Sequence, residues 1–275
     1  MLWINKSYLW VALAATLFLM LSHALSPWLT KQLPGKGKAF ISFAGGVSVA
    51  YVFLDMLPNL VEYNKPIGEF LLKNQWLTPF TELSIYIVAL IGFLIYYGFD
   101  LFAERYQTAK HDNRVIYLLH LVMFCIYNVL ITYTMSLRAL AGVTYTVLFT
   151  FAMALHFVLT DRKLSRLFPV RFTHLGRVFL SLALFTGWYL SVAFDPVRVL
   201  FVAFMTAFLA GSILLNVFRE ELPNSDLARF RWFVLGAALI GVVSLLQTWI
   251  LLASHKDSPQ FLSYSFEQHV GHGTH

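Results

Sequence analysis

The hydrophobic pattern consists of long apolar runs separated by short polar segments. Eight of these runs have about 20 residues, the length that a helix needs to cross a hydrocarbon core of about 30 Å. They lie near 8–30, 39–60, 82–103, 115–136, 139–160, 174–194, 197–219 and 231–253. We therefore predict an all-α polytopic membrane protein with one transmembrane domain of eight helices over 1–254, followed by a short polar tail over 255–275.

The second and seventh runs end in related sequences. Residues 43–59 read FAGGVSVAYVFLDMLPN and residues 208–224 read FLAGSILLNVFREELPN. At a constant offset of 165, seven of the seventeen positions are identical, including a Gly, a Pro and an Asn that shared hydrophobicity does not explain. The acidic position is kept as Asp55 in the first copy and Glu220 in the second. The pattern predicts an internally duplicated chain.

Composition supports the membrane assignment, and the distribution of charge predicts which side of the membrane is cytoplasmic. The chain is 59% hydrophobic and 12% charged, with a mean hydropathy of +0.68, whereas soluble domains carry about 25% charged residues. Fourteen of the 20 Lys and Arg residues fall on one side of the predicted spans. The positive-inside rule makes that side cytoplasmic. We expect a plasma (bacterial inner) membrane protein with both termini outside the cytoplasm and no nucleic-acid partner. A single cysteine, Cys125, excludes an intramolecular disulfide.

This topology makes the two related spans cross the membrane in opposite senses, because the second runs outward and the seventh inward. Inverted-topology repeats recur in secondary transporters, whose substrates bind near the midplane where the halves meet. Small residues on one helical face, such as Gly46 and Gly211, also suit close helix packing in a static bundle. For the inverted pair we favour transport.

Eight spans with two acid-x-Leu-Pro-Asn endings resemble the ZIP family of divalent-metal transporters. FLDMLPN at 53–59 is similar to that family's FLHLLPE-type ending of the second span, and 210–224 is similar to its seventh span. The resemblance implies the ZIP-like fold and an intramembrane metal site built from a His-Asn-x-x-Asp pattern in span four and a His-Glu-x-x-His-Glu pattern in span five.

Only part of that metal motif is kept. In span four Asn128 remains, with Tyr127 and Ile131 in place of the histidine and the acid. In span five the segment 156–161, HFVLTD, keeps the first histidine and ends in an acid. The resemblance therefore leaves Asn128, His156 and Asp161 as candidate metal ligands.

Three donors of these types suit a hard or weakly held cation better than zinc, which usually takes about four N, S or O ligands. His156 and Asp161 are five residues apart, about 140° round a helix, so one ion reaches both only if the helix is distorted. The alternative for Asp161 is a solvated helix-end carboxylate paired with Arg162 or other bases.

Other polar positions allow two interpretations each. Asp55 and Glu220 are candidate path mouths that attract cations, or plain helix-end acids before a proline. For His120 we favour a hydrogen bond across helices over metal ligation. The tail holds four histidines, which bind transition metals weakly or have no such role: His255, His269, His272 and His275.

Two functions remain. The first is ZIP-like transport of a divalent cation (Zn, Fe or Mn), with no prosthetic group, the lipid bilayer as environment and homodimerisation left open. It predicts that the three candidate ligands converge on one cavity near the midplane. The second is a ZIP-fold scaffold or partner-binding subunit without transport, with a dry centre filled by Phe157, Ile131 and Leu159. We expect no enzyme, since the spans show no three convergent ligands with an acid–base group.

Overall fold

The computed structural model of the chain describes residues 7–32, 37–61, 64, 83–107, 114–194, 199–222 and 229–256. Eight helices in this part are long and apolar enough to cross a membrane, which confirms the predicted spans. They are α1 (Ser7–Gln32), α2 (Gly37–Tyr51), α3 (Ser84–Gln107), α4 (Arg114–Ala141), α5 (Val143–Leu167), α6 (His174–Ala193), α7 (Val199–Asn216) and α8 (Phe230–Lys256). The span that contains α2 continues without a break to Val61. Most of the predicted tail lies outside the described residues.

The helices form two groups of four. In one, α4 packs along α6, and α1 lies against α4, α5 and α6. In the other, α2 packs along α8 and α3 along α7. The groups meet where α2 contacts α5 and where α4 contacts α7. The two helices that carry the repeat are the most buried: 61% of the apolar stretch of α2 and 67% of that of α7 is buried, against 17% in α3 and in α8.

Glycines allow α2 and α8 to approach backbone to backbone. A methyl group at Gly46 would collide with the carbonyl of Phe233, and one at Gly236 would collide with the carbonyl of Phe43. Each glycine therefore accommodates the backbone of the other helix. Helices in lipid have no hydrophobic driving force for association, and close contacts at small residues stabilise their packing instead.

The α3–α7 pair is built in the same way. A methyl group at Gly211 would meet the carbonyl of Ala89, and one at Gly92 would meet the carbonyl of Phe208. Phe208 and Gly211 of α7 are the positions that correspond to Phe43 and Gly46 of α2 at the offset of 165. Equivalent residues of the two related sequences therefore make equivalent contacts. We call α2, α3, α7 and α8 the glycine bundle.

Both related helices continue as π-helical turns at matching positions, Val52–Met56 after α2 and Val217–Glu221 after α7. In the first turn the Leu57 N–H donates to the carbonyl of Val52. Pro58 follows at once; a proline lacks the N–H and its ring crowds the carbonyl four residues earlier, so a wider turn relieves the strain.

The two π turns touch each other but end differently. The rings of Phe53 and Phe218, which correspond at the same offset, meet edge to face with centroids 6.0 Å apart. The first turn leads into further helix through Leu57, whose backbone is helical (φ −65°, ψ −44°). The second stops at Leu222, whose backbone is extended (φ −69°, ψ 116°). The extended backbone is what a residue before proline prefers.

Candidate functional site

Helix α1 places a histidine in the interior of the group formed by α1, α4, α5 and α6. A buried stripe along α1 recurs at helical spacing and consists of Ala12, Thr16, Leu19, His23 and Ser26. The stripe faces α4, α5 and α6, because these are the helices that α1 contacts. A polar imidazole is thus fixed in the interior, where it must find hydrogen-bond partners.

His23 joins two of the three candidate metal ligands. Its Nδ1 lies 3.0 Å from Oδ1 of Asp161, and its Nε2 lies 3.2 Å from the amide nitrogen of Asn128. The same amide nitrogen donates to the carbonyl of Leu180 at 3.1 Å, which fixes its orientation. Because an amide nitrogen only donates, Nε2 of His23 accepts and Nδ1 carries the proton that is donated to the carboxylate. The geometry describes a neutral imidazole between an amide and an acid.

Arg177 supplies the positive charge next to this acid. Its Nε lies 3.8 Å from Oδ2 of Asp161, an oxygen that makes no hydrogen bond within the part of the chain that the structure describes. Another nitrogen, Nη2, donates to the hydroxyl of Ser165 at 3.0 Å, and the guanidinium lies over the ring of Phe172 at 4.9 Å. We call His23, Asn128, Asp161 and Arg177 the His23 cluster, and the helices that carry it (α1, α4, α5 and α6) the polar bundle.

Asp161 is therefore not the solvated helix-end acid of the alternative interpretation. Its side chain has a relative exposure of 0%, and its partners are His23 and Arg177 from two other helices. Neither partner was proposed from the sequence. The buried stripe of α1 could have indicated His23, whereas Arg177 looked like one of many cytoplasmic bases.

His156 lies apart from the cluster. Its Nε2 is 3.2 Å from the hydroxyl of Tyr127, and both side chains are buried. The ring of Phe157 stacks on His23 with centroids 4.7 Å apart and also contacts the ring of His156 at 5.9 Å. The structure thus brings together Asn128 and Asp161, through His23, and separates them from His156. The undistorted helix α5 explains this separation, as the five-residue spacing anticipated.

Large side chains fill the space between these groups. Phe157 and Ile131 are fully buried, together with Met135 and Met153. Leu159, the third predicted filler, is only half-buried. This part of the polar bundle is mainly apolar.

Asp55 is buried rather than exposed at a mouth. Its Oδ2 lies 3.9 Å from Nη1 of Arg138, which also donates to the hydroxyl of Tyr51 at 3.4 Å. The guanidinium lies 4.1 Å from the centroid of the Phe149 ring. Asp55 of the π turn after α2 and Arg138 of α4 thus form an ion pair. The side chain of Glu220, the corresponding residue, lies outside the described part.

A third acid, Asp100 of α3, lies at the other end of the helices. Its carboxylate is 4.0 Å from Nζ of Lys163 in α5 and 3.5 Å from Nη1 of Arg219. Asp55, Asp100 and Asp161 are the acids whose side chains the structure describes, and each faces a base from another helix. A basic side chain of the protein therefore already balances the charge of each of these three carboxylates.

Of the other histidines considered from the sequence, His120 is the one whose side chain the structure describes. Nδ1 of His120 bonds to the carbonyl of Ile116 in its own helix at 3.0 Å, and the ring packs edge to face on Phe168. His269, His272 and His275 lie outside the described residues, as does the side chain of His255. Within the described ranges, no group of three or more His, Cys, Asp or Glu side chains is arranged to hold a metal ion.

The sequence matches no family model and no curated protein.

Proposed function

We propose that this chain is a ZIP-like membrane transporter built as an inverted repeat, with a divalent cation as its cargo. One observation carries the proposal: the offset of 165 residues that relates the two sequences also relates the two π turns and the glycine contacts. Inverted repeats are typical of secondary transporters, and the matching π turns and glycine contacts support such a repeat here.

Helix direction supports the inverted sense of this repeat. If each of the eight helices crosses the membrane once, α2 and α7 are five crossings apart and therefore run in opposite directions. The equivalent pairs α2–α8 and α3–α7 then stand in opposite orientations within one glycine bundle. The charge bias of the loops places the termini outside the cytoplasm in this proposal.

Two ion pairs link the bundles at opposite ends. Asp55 in the glycine bundle pairs with Arg138 in the polar bundle, and Asp100 in the glycine bundle pairs with Lys163 in the polar bundle. A rocking motion of one bundle against the other would separate one pair while the other stays closed. Such an exchange would open a path between the bundles to one side of the membrane at a time.

The packed centre favours a second candidate, a ZIP-fold protein that does not transport metal. Phe157 and Ile131 occupy positions where the family resemblance implies metal donors, and they are fully buried. The bases that face the three described acids also reduce their attraction for cations. In this alternative the chain is a scaffold or partner-binding subunit in the lipid bilayer.

Uptake of Zn²⁺, Mn²⁺ and Fe²⁺ into proteoliposomes separates the two functions. The intact chain is compared with Asp161→Asn, which keeps the side-chain size but removes the charge, and with Gly98→Ala as a matched control at an open surface position. The transporter proposal expects uptake that Asp161→Asn reduces by about tenfold or more and that the control leaves unchanged. A monodisperse intact protein without uptake of any of the three metals would favour the non-transporting alternative.

A further inference from the structure

The contact between α1 and α5 leaves an apolar groove on the outer face of the polar bundle. The groove offers about 170 Å³ of free space, several times the volume of one water molecule. Hydrophobic side chains of both helices form most of its walls, among them Phe18, Leu21, Leu25, Phe151, Leu155 and Val158. The three side chains of α1 are exposed, so in a bilayer the groove opens towards lipid.

The walls of this groove suit a hydrocarbon occupant. Ser22 is the polar residue of the described lining, and its hydroxyl donates to the carbonyl of Leu19 in its own helix at 2.6 Å. The described walls therefore present almost only hydrocarbon. Cavities of this kind stay dry, and a chain of methylene groups fills them through dispersion contacts with the wall.

The α5 wall of the groove leads to two arginines. Phe151, Leu155 and Val158 lie on one stripe of the helix, and the same stripe continues at intervals of four residues with Arg162 and Arg166. At a rise of about 1.5 Å per residue, the two arginines lie about 6 and 12 Å beyond Val158 along the helix axis. They therefore follow the groove at the end of α5 that the charge bias predicts to be cytoplasmic.

These two arginines differ from their neighbour Lys163, which pairs with Asp100 of α3. In the part of the chain that the structure describes, Arg162 and Arg166 make no ion pair and no side-chain hydrogen bond. Arg166 is exposed and Arg162 is half-buried. Like charges four residues apart on a helix destabilise it, so an anion bound between them would stabilise this end of α5.

We propose that the groove and the two arginines together form a binding site for an anionic phospholipid. One acyl chain lies in the groove between α1 and α5. The guanidinium groups of Arg162 and Arg166 bind the phosphate, whose oxygens match the planar donor fork of arginine. A net negative headgroup also balances the second positive charge, which a zwitterionic headgroup does not. The inference needs the membrane placement of the helices and does not depend on transport.

Lipid binding by the purified full-length chain in detergent tests this site. The chain is mixed with equal amounts of phosphatidylglycerol and phosphatidylcholine that carry the same acyl chains, and native mass spectrometry counts the lipids that stay bound. We expect the first phosphatidylglycerol to bind about tenfold tighter than the first phosphatidylcholine, because two basic residues face its net charge.

Arg162→Gln, Arg166→Gln removes both charges, and we expect the two lipids then to bind within about threefold of each other. Arg229→Gln, Arg231→Gln is the matched control, because it removes the same charge from exposed arginines beside the start of α8. We expect the control to keep the preference of the intact chain. If the first variant is not recovered folded, the exposed Arg166→Gln alone takes its place, with an expected loss of about threefold in preference.

Leu25→Trp tests the groove itself. The larger side chain at this exposed wall position should displace the acyl chain and weaken the binding of both lipids by about threefold or more, because less hydrocarbon is then buried. Leu17→Trp is its control, since Leu17 is equally exposed on the same helix and lies outside the groove lining. We expect Leu17→Trp to bind both lipids as the intact chain does.

Equal binding of the two lipids by the intact chain would overturn the inference. So would a preference that survives in Arg162→Gln, Arg166→Gln, or one that falls equally in the α8 control, because general charge attraction would then explain it. Unchanged lipid binding in Leu25→Trp would also reject the site, since the acyl chain would then lie elsewhere.

Discussion

The two bundles use different interactions to hold helices together in the same solvent. In the glycine bundle the backbones touch, at Gly46 and Gly236 in one pair and at Gly92 and Gly211 in the other. In the polar bundle side chains from four helices meet in the His23 cluster. Lipid is as apolar as the helix surfaces, so neither bundle is held by the hydrophobic effect between helices.

This difference makes the glycine bundle a rigid frame, whereas the polar side chains of the polar bundle can exchange their partners. Backbone contact depends on shape alone and leaves few alternative arrangements of the helices. Hydrogen bonds and ion pairs can be exchanged for equivalent ones at modest cost. We therefore expect changes of charge to affect the stability of the glycine bundle little and added volume to lower it strongly. We expect the reverse for the polar bundle.

The largest effect is expected from Asp161→Ala in the polar bundle. It leaves the partly buried Arg177 without its acid and removes the acceptor of His23, so we expect a loss of about 3 kcal/mol in stability, the lower end of the range for a broken buried pair. Thermal unfolding in detergent measures it as a lower Tm. Asp100→Ala is the matched control, since its carboxylate is 20% exposed and the loss should be smaller. Equal losses in both variants would contradict the assignment of the His23 cluster as a buried network.

Gly211→Ala should destabilise the glycine bundle through added volume rather than through a lost charge. The added methyl group collides with the carbonyl of Ala89 and forces α3 and α7 apart, at a cost of about 1–3 kcal/mol. Gly98→Ala in α3 adds the same atoms in open space and should leave the Tm unchanged or slightly higher. If the two alanine variants had the same Tm, close backbone contact would not hold this bundle.

Thr132→Val tests the contribution of the hydrogen bond by itself, because the α4–α6 contact combines a hydrogen bond with a close approach at a glycine. The Thr132 hydroxyl donates to the carbonyl of Leu184 at 2.7 Å, directly beside Gly187. Valine keeps the shape and removes the hydrogen bond, and we expect a loss of about 0.6–1.7 kcal/mol.

Thr186→Val is the control for this change. Thr186 is exposed and bonds to the carbonyl of Leu182 in its own helix, so its replacement should have almost no effect on the Tm. A Thr132→Val variant as stable as the parent would mean that shape alone holds α4 against α6.

The smallest effect is expected between the two π turns. A double-mutant cycle with Phe53→Ala and Phe218→Ala should give a coupling of about 0.5–1.5 kcal/mol from the edge-to-face pair. The cycle of Phe53→Ala with Phe201→Ala serves as the control, because Phe201 packs on Tyr133 instead. Coupling of the same size in both cycles would argue against a direct contact between the turns.

The spans could be predicted because they are a linear property of the sequence, whereas the inverted repeat stays a prediction. An apolar run of about 20 residues has few stable alternatives to a transmembrane helix. The repeat further indicated which positions correspond, and Gly46 and Gly211 do make corresponding contacts. The π turns were not predicted, since a proline indicates strain in a helix without specifying how the backbone relieves it.

The site was harder to predict because it depends on how whole helices are rotated against each other. Asn128 and Asp161 share a cluster only through His23, a residue on a helix that carries no part of the family motif. His156 is directed towards Tyr127 by its position round α5. Motif comparison examines spacing within one helix, and the partners of Asp161 came from two others.

The two ion pairs between the bundles differ in their access to water, and ionic strength acts on them unequally. The side chains of Asp55 and Arg138 are 6% and 7% exposed, whereas those of Asp100 and Lys163 are 20% and 21% exposed. Dissolved salt screens exposed charges and reaches buried ones poorly. Raising the salt concentration should therefore weaken the Asp100 pair before the Asp55 pair, and in the proposed rocking motion the balance between the two ends would then depend on the surrounding electrolyte as well as on the chain.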